Sequence, residues 1–168
     1  MGFKKTSDLI AVSFGLTETA PNVFTQEEIA LQLDVLNNEI FVVLAVDLDL
    51  TSPDAIAATN TNTTGCITST SQTAITSLSN TNTMAVARQS IRAAGFVDGG
   101  VSFDRMSNST PTGDLDYVAL IATNNFFIQV EGANNLAAKS ISGRVWGYRA
   151  KADGSTYAAL VQSEVLSA

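Results

Sequence analysis

The segment that decides the fold runs Glu28-Ile29-Ala30-Leu31-Gln32-Leu33-Asp34-Val35-Leu36-Asn37-Asn38-Glu39-Ile40-Phe41-Val42-Val43-Leu44-Ala45-Val46-Asp47-Leu48-Asp49-Leu50. Ile29, Leu31, Leu33 and Val35 alternate with Glu28, Ala30, Gln32 and Asp34, the period of two with which a strand turns successive side chains to opposite faces. Leu36-Asn37-Asn38-Glu39 supplies a turn. Ile40, Val42, Leu44, Val46, Leu48 and Leu50 then resume on one face, which predicts two long paired strands. The other face of the second strand reads Phe41, Val43, Ala45, Asp47, Asp49. Its first half is therefore apolar on both sides and its second half on one, as in a strand that starts between two layers and emerges towards solvent. A helix over residues 25–36 competes, because Gln26-Glu27-Glu28 after Thr25 resembles a first helical turn.

Working outward, further strands are expected at residues 8–16, 101–105, 115–123, 126–131, 139–150 and 157–166. Turn-forming residues such as Asp98-Gly99-Gly100, Asn124-Asn125 and Asp153-Gly154 separate them. Residues 55–87 carry no charge, and eighteen of the twenty-five residues from 59 to 83 are Thr, Ser or Asn. Thr favours strands and Ile67, Ala74, Ile75 and Leu78 punctuate the stretch, so one or two strands flanked by loops are expected there. Residues 84–94 switch to helix formers, with Gly95 as a stop, and predict one short helix. About eight or nine strands at this spacing, without the helices that parallel βαβ units demand, give a single all-β domain built as a two-sheet β-sandwich.

The 168 residues are 45% hydrophobic but only 15% charged, and 19 Thr, 16 Ser and 12 Asn make up the polar balance. With no His and one Cys, Cys66, one chain can supply neither a Ser-His-Asp triad nor a Cys-His dyad, a His-ligated metal or a zinc cluster. No catalytic residue and no cofactor are expected, and Cys66 reads as a small buried hydrophobe. The net charge of −7 disfavours nucleic-acid recognition, which draws on clustered Lys and Arg. Residues 1–90 hold nine acids against Lys4, Lys5 and Arg88, whereas residues 91–168 hold seven against six bases, so opposite ends could attract neighbouring copies. The longest apolar run, residues 40–46, is too short to span a bilayer. Nothing at the N-terminus reads as a signal peptide, which fits a protein made in a reducing cytoplasm.

Asp47 and Asp49 point the same way from one strand, and Asp114 and Asp116 form a second such pair that could ligate a hard cation. The plainer reading is a solvated strand edge, since no calcium-loop motif is present. Arg144, Trp146 and Tyr148 share one face of the 139–150 strand, with Ile141, Gly143, Val145, Gly147 and Arg149 on the other. Such an Arg-Trp-Tyr face could bind a sugar, but these residue types are also the ones enriched at subunit contacts. Lys4, Lys5, Arg144, Trp146, Tyr148 and Arg149 are the interface candidates. Gly143 and Gly147 suggest close approach by another backbone or a large side chain.

The segments 38–50, 126–134 and 142–151 (Ser142-Gly143-Arg144-Val145-Trp146-Gly147-Tyr148-Arg149-Ala150-Lys151), together with the acidic His-free composition, resemble the single jelly-roll major capsid proteins of tailless icosahedral viruses of prokaryotes. That resemblance implies two four-stranded sheets standing in a shell, a structural role, and copies of the same chain as partners, with other virion proteins beside them. An uncharged polar exterior costs less to desolvate than one studded with Lys and Glu, which suits repeated self-contact. An N-terminal arm over residues 1–19 and the end from 155 to 168 are expected to reach neighbours. A phage decoration or tail-tube subunit shares this composition, and a carbohydrate-binding module using Trp146 and Tyr148 is the alternative from another class.

Overall fold

The computed structural model describes residues 2–97, 99–105 and 115–167. In chain order they form β1 Phe3–Lys5, β2 Ile10–Thr17, β3 Thr25–Ala30, β4 Glu39–Leu50, β5 Thr61–Thr68, β6 Thr83–Arg92, β7 Val101–Arg105, β8 Ala119–Ile121, β9 Asn125–Ala133, β10 Ser140–Ala152 and the helix α1 Gly154–Leu166. One sheet has the order β2-β10-β4-β8, with the short β1 beside β2 on the same flank of β10. The other has the order β3-β9-β5-β6-β7. All pairings are antiparallel. The pairs β5–β6, β4–β8, β3–β9 and β2–β10 nest inside one another, so the chain is one long hairpin wrapped into two facing sheets. That is a jelly roll.

Phe41, Val43, Val46, Leu48, Leu50, Ile67, Ile121, Phe126, Ile128, Val130, Ile141 and Val145 fill the space between the sheets. Gly65, Gly143 and Gly147 let the layers come close. A Cβ at Gly143 would stand 2.6 Å from the Asp47 carbonyl oxygen, and one at Gly147 would run into the Val42 carbonyl and lie 2.6 Å from the Phe41 ring.

Several sequence expectations need correcting. In the 28–50 segment the second half is strand β4, but the first is strand only to Ala30, where β3 ends; residues 31–34 are irregular, Val35–Asn37 form one 3-10 turn, and the two strands do not pair, β3 lying in one sheet and β4 in the other. Gln32 and Asn38 adopt φ near +54°, which breaks the extended run, and the chain between them crosses from sheet to sheet. Leu31 and Leu33, buried, plug the end it crosses. Alternation reports that a strand has one buried face; it does not report which sheet the strand joins.

The single apolar face assigned to β4 is also divided. Trp146 opposes Ala45 but Gly147 opposes Val43, so Leu44 is an extra residue in the ladder, a β-bulge that reverses the alternation. Phe41 and Val43 before it, and Val46, Leu48 and Leu50 after it, all face the other sheet. Ile40 and Val42 face outward, where they pack with Ala150, Ala152, Tyr157, Leu160 and Val161 under α1. The first half of β4 is thus covered on both sides.

The helix is at the C-terminus, where a strand was expected, and the expected helix at 84–94 is strand β6. The alanines of β6 do not select a helix because β5 and β7 pair with it on either side and Ala85 and Ala87 fill narrow space in the core. α1 starts where the Asp153 carboxylate accepts the Thr156 N–H at 2.7 Å, an N-cap. Tyr157, Leu160, Val161 and Glu164 then recur at the spacing of one helical face. Residues 3–5 and 10–17, read as part of an arm, pair with β10 of their own chain. The Thr-rich stretch contributes β5 and then folds back, residues 69–82 lying over the outer face of their sheet.

Gly147→Val is expected to cost about 1–3 kcal/mol by forcing Phe41 off its site, read as a lower urea midpoint. Ser142→Val on the exposed face of the same strand should stay within about 0.5 kcal/mol of the unmodified protein. Equal midpoints for the two variants would contradict the packing described.

Candidate subunit interfaces

The space between the sheets is filled, and among the described residues the ends, edges and outer faces are the surfaces open to a ligand or partner. At one end the connections β2–β3, β4–β5 and β9–β10 are tied by polar side chains. Glu18, buried, accepts the Lys139 N–H at 2.7 Å and the Gly132 N–H at 3.0 Å. The Lys139 ammonium, itself buried, donates to Asp54 at 2.7 Å, and the other Asp54 oxygen accepts the Leu136 and Ala137 N–H groups. Asn135 links Asn22, Asp54 and Asn62. Lys139 and the two N–H groups hold the Asp54 carboxyl below the usual carboxylate range.

At the opposite end Arg149 closes the gap that the β3–β4 crossing leaves. It donates to the Leu31 and Gln32 carbonyls at 2.8 and 3.0 Å and pairs with Glu39 at 2.6 Å. Glu164 of α1, buried, accepts the Ala122 and Thr123 N–H groups and pins the helix to the β8–β9 turn. The Glu18, Asp54, Glu39 and Glu164 carboxylates serve backbone N–H groups or a neighbouring base, so none of the four is a free acid or base poised for chemistry. No local spacing signals them, because Glu18 and Lys139 are 121 residues apart and Glu164 and Ala122 are 42 apart.

On the outer face of the β3-β9-β5-β6-β7 sheet, the 69–82 segment is held by uncharged groups. Gln26 Oε1 accepts from the Gln72 N–H and from Gln129 Nε2, both at 2.8 Å, and Gln129 Nε2 also donates to Thr68 at 2.7 Å. Beneath it the Cys66 thiol donates to Gln129 at 3.1 Å, and burial pushes its pKa up. Thr76 adds hydrogen bonds to Cys66 and Thr83, and Asn82 one to Thr70, so hydroxyls and amides of this stretch satisfy one another over the covered sheet face.

The interface candidates separate into three places. The Arg144 guanidinium lies 5.7 Å from the Trp146 ring centroid and donates to Ser13 at 3.0 Å, on the half of the outer face that α1 leaves uncovered. Asp47 and Asp49 stand on the same open face, Asp47 directly across from Arg144 and Asp49 across from Ser142. Lys5 covers the Tyr148 ring at 5.0 Å, and Lys4 is exposed beside it. Arg149 is turned to the end of the sandwich. Asp116 is exposed before β8, and Asp114 lies outside the described residues. Among the described residues no three His, Cys, Asp or Glu side chains come together as a metal site, and no helix is long and apolar enough to cross a membrane.

Sequence reading missed a further surface. On the outer face of β6 and β7, Arg88, Ser90 and Arg92 stand beside Phe96, Val101 and Phe103 around a depression of 570 Å³. Phe96, Val101 and Phe103 are 49%, 48% and 58% exposed. The expected helix at 84–94 turned Ser90 away from Arg88 and Arg92 and left Val101 and Phe103 on a separate strand with no pairing to it, which hid the pattern.

No family model matches the chain, and no curated protein matches it. A solved chain of Desmodium yellow mottle tymovirus is similar at 12% identity, covering 84% of this chain and 87% of that one, with a TM-score of 0.27. At that score the superposition carries nothing about function.

Because the Asp54 pKa is lowered in the fold, its ion pair contributes stability above the ordinary carboxylate pKa of about 4 and loses it as pH falls further. Asp54→Asn is expected to lower the melting temperature at pH 7, and the gap to the unmodified protein should close as the pH is taken below about 4. The effect is modest, since the carboxylate is partly open to water. Melting curves that keep the same separation from pH 7 to pH 2.5 would contradict the assignment.

Proposed function

We propose that the chain is a non-enzymatic structural subunit that assembles with copies of itself into a virion shell. The observation that carries the reading is a jelly roll whose interior is filled by side chains and whose ends are tied, which leaves its outer faces and edges, among the described residues, open to partners. Jelly rolls serve as viral shell domains, as lectins and as cupins. A cupin-type site needs a hollow barrel with metal ligands. Here phenylalanine and branched aliphatic side chains occupy that space, and the chain has no His. A sugar-stacking site needs an open ring, whereas the Trp146 ring is faced by Arg144.

What favours assembly is the exterior. Leu9, Leu36, Phe96, Val97, Phe103, Leu115, Leu136 and Leu166 are exposed at several separate places on the surface. Singly such residues are ordinary, but Phe96 and Phe103 gather with Val101 beside Arg88 and Arg92, and a contiguous apolar patch rimmed by polar groups marks a contact surface. The net charge of −7 argues against a role in reading nucleic acid. The shell of a tailless icosahedral virus of prokaryotes is the finer form of the proposal, with the protein made in the host cytoplasm and residing in the virion. A phage decoration or tail-tube subunit differs from it in the symmetry of the assembly.

Light scattering and negative-stain electron microscopy of the purified protein are expected to reveal closed particles of uniform size that dissociate as the protein is diluted. A 17.6 kDa monomer at every salt and protein concentration would overturn the proposal.

A further inference from the structure

We infer that the two opposite edges of the β3-β9-β5-β6-β7 sheet are complementary docking surfaces, the β7 edge of one copy seating on the β3 edge of the next. The inference rests on the self-assembly reading and deepens it by naming the contact.

The sheet order puts β3 and β7 at its two ends, each paired, among the described residues, on one side. An unpaired edge presents backbone donors and acceptors to a partner. On the outer face beside the β7 edge, the exposed Phe96 and the β7 residues Val101 and Phe103 lie with Arg88 and Arg92 of the adjoining β6. Aromatic residues and Arg around a depression are the residue types that anchor subunit contacts. Among the described residues no carboxylate lies within 4 Å of either guanidinium. Asp104 of β7 is exposed but on the other face, opposite Gln89, and Glu131 is separated from Arg88 by the intervening β5.

The β3 edge has the opposite charge. Glu27 and Glu28 are exposed on β3, Ala30 is exposed at its end, and Val23 just before it is 41% exposed. Glu28 Oε1 accepts from Asn125 at 2.7 Å, which leaves its second oxygen for a partner. Between Lys5 and Arg88 the chain contains no Lys or Arg at all, so neither β3 nor the segments flanking it in sequence supply a base. Arg149, which reaches the carbonyls just past β3, is engaged by Glu39.

In a chain of net charge −7 two copies repel unless local charge is arranged to oppose it. An arginine-bearing apolar edge and a glutamate-bearing edge on the same sheet provide that arrangement. Because the two patches differ, the contact is head-to-tail, and repetition closes into rings, as a shell needs, or extends.

Charge reversal tests the pairing. Arg88→Glu with Arg92→Glu makes both edges acidic; Glu27→Lys with Glu28→Lys makes both basic. All four positions are exposed, and a cooperative melt near that of the unmodified protein confirms folding. Each variant alone is expected to raise the concentration needed for particle formation by roughly tenfold or more, and an equimolar mixture to restore assembly. An unmodified chain that assembles while either variant assembles equally well, or while the mixture gains nothing over its components, overturns the edge pairing and leaves the shell reading intact. An unmodified chain that stays monomeric overturns both.

Discussion

Between Trp146 and Gly147 the register of β10 against β4 slips by one residue, and much of the molecule's surface follows from that slip. Without it, Ile40, Val42, Leu44, Val46, Leu48 and Leu50 would share a face, and β4 could not be buried on both sides in its first half and on one side in its second. The bulge at Leu44 sends Ile40 and Val42 outward and Val46, Leu48 and Leu50 inward. The outward pair then needs cover, which α1 supplies with Tyr157, Leu160 and Val161, locked by the Glu164 carboxylate on two backbone N–H groups. Beyond the bulge β4 turns Asp47 and Asp49 outward, and that half of the face stays open with Arg144 and Trp146. Gly143 and Gly147 on β10 make the slip possible, because no side chain there can fit between Phe14, Phe41 and the β4 carbonyls.

The same economy of uncovered surface recurs on the second sheet. The 69–82 segment covers its middle through amide and hydroxyl hydrogen bonds. The ends of the sandwich are tied by Asp54, Lys139 and Glu18 at one side and by Arg149 at the other. What is left open is a set of edges and corners, of which the β3 and β7 edges are the most strongly opposed in charge.

The β-sandwich was legible because period-two alternation marks β10 and each half of β4 on either side of its bulge, and because no helices separate the strands as βαβ units require. The close approach at Gly143 and Gly147 was legible too, since glycines alternating on a strand face leave room that something must fill. Misreadings arose where a local pattern has two tertiary solutions. Met84 to Arg92 has helix-forming residues but sits between two strands, and ladder pairing outweighs propensity. Asp153 followed by Ser155 and Thr156 is a helix start that the turn reading of Asp153-Gly154 concealed, although the spacing of Tyr157, Leu160 and Val161 carried the signal. The Glu18, Asp54 and Lys139 cluster and the Glu164 anchor were beyond reach, because each joins segments far apart in the chain and no spacing within either segment marks them.

Hydrogen exchange followed residue by residue, in the dilute protein at high salt and in the concentrated protein at low salt, tests most directly whether the interior is complete and the margins are not. The account predicts that amides of residues 25–30 and 101–105 gain protection on concentration, while those of residues 40–46 and 145–150 are equally slow in both states. Protection gained in the β4 and β10 interior, or none gained at either edge, would contradict it.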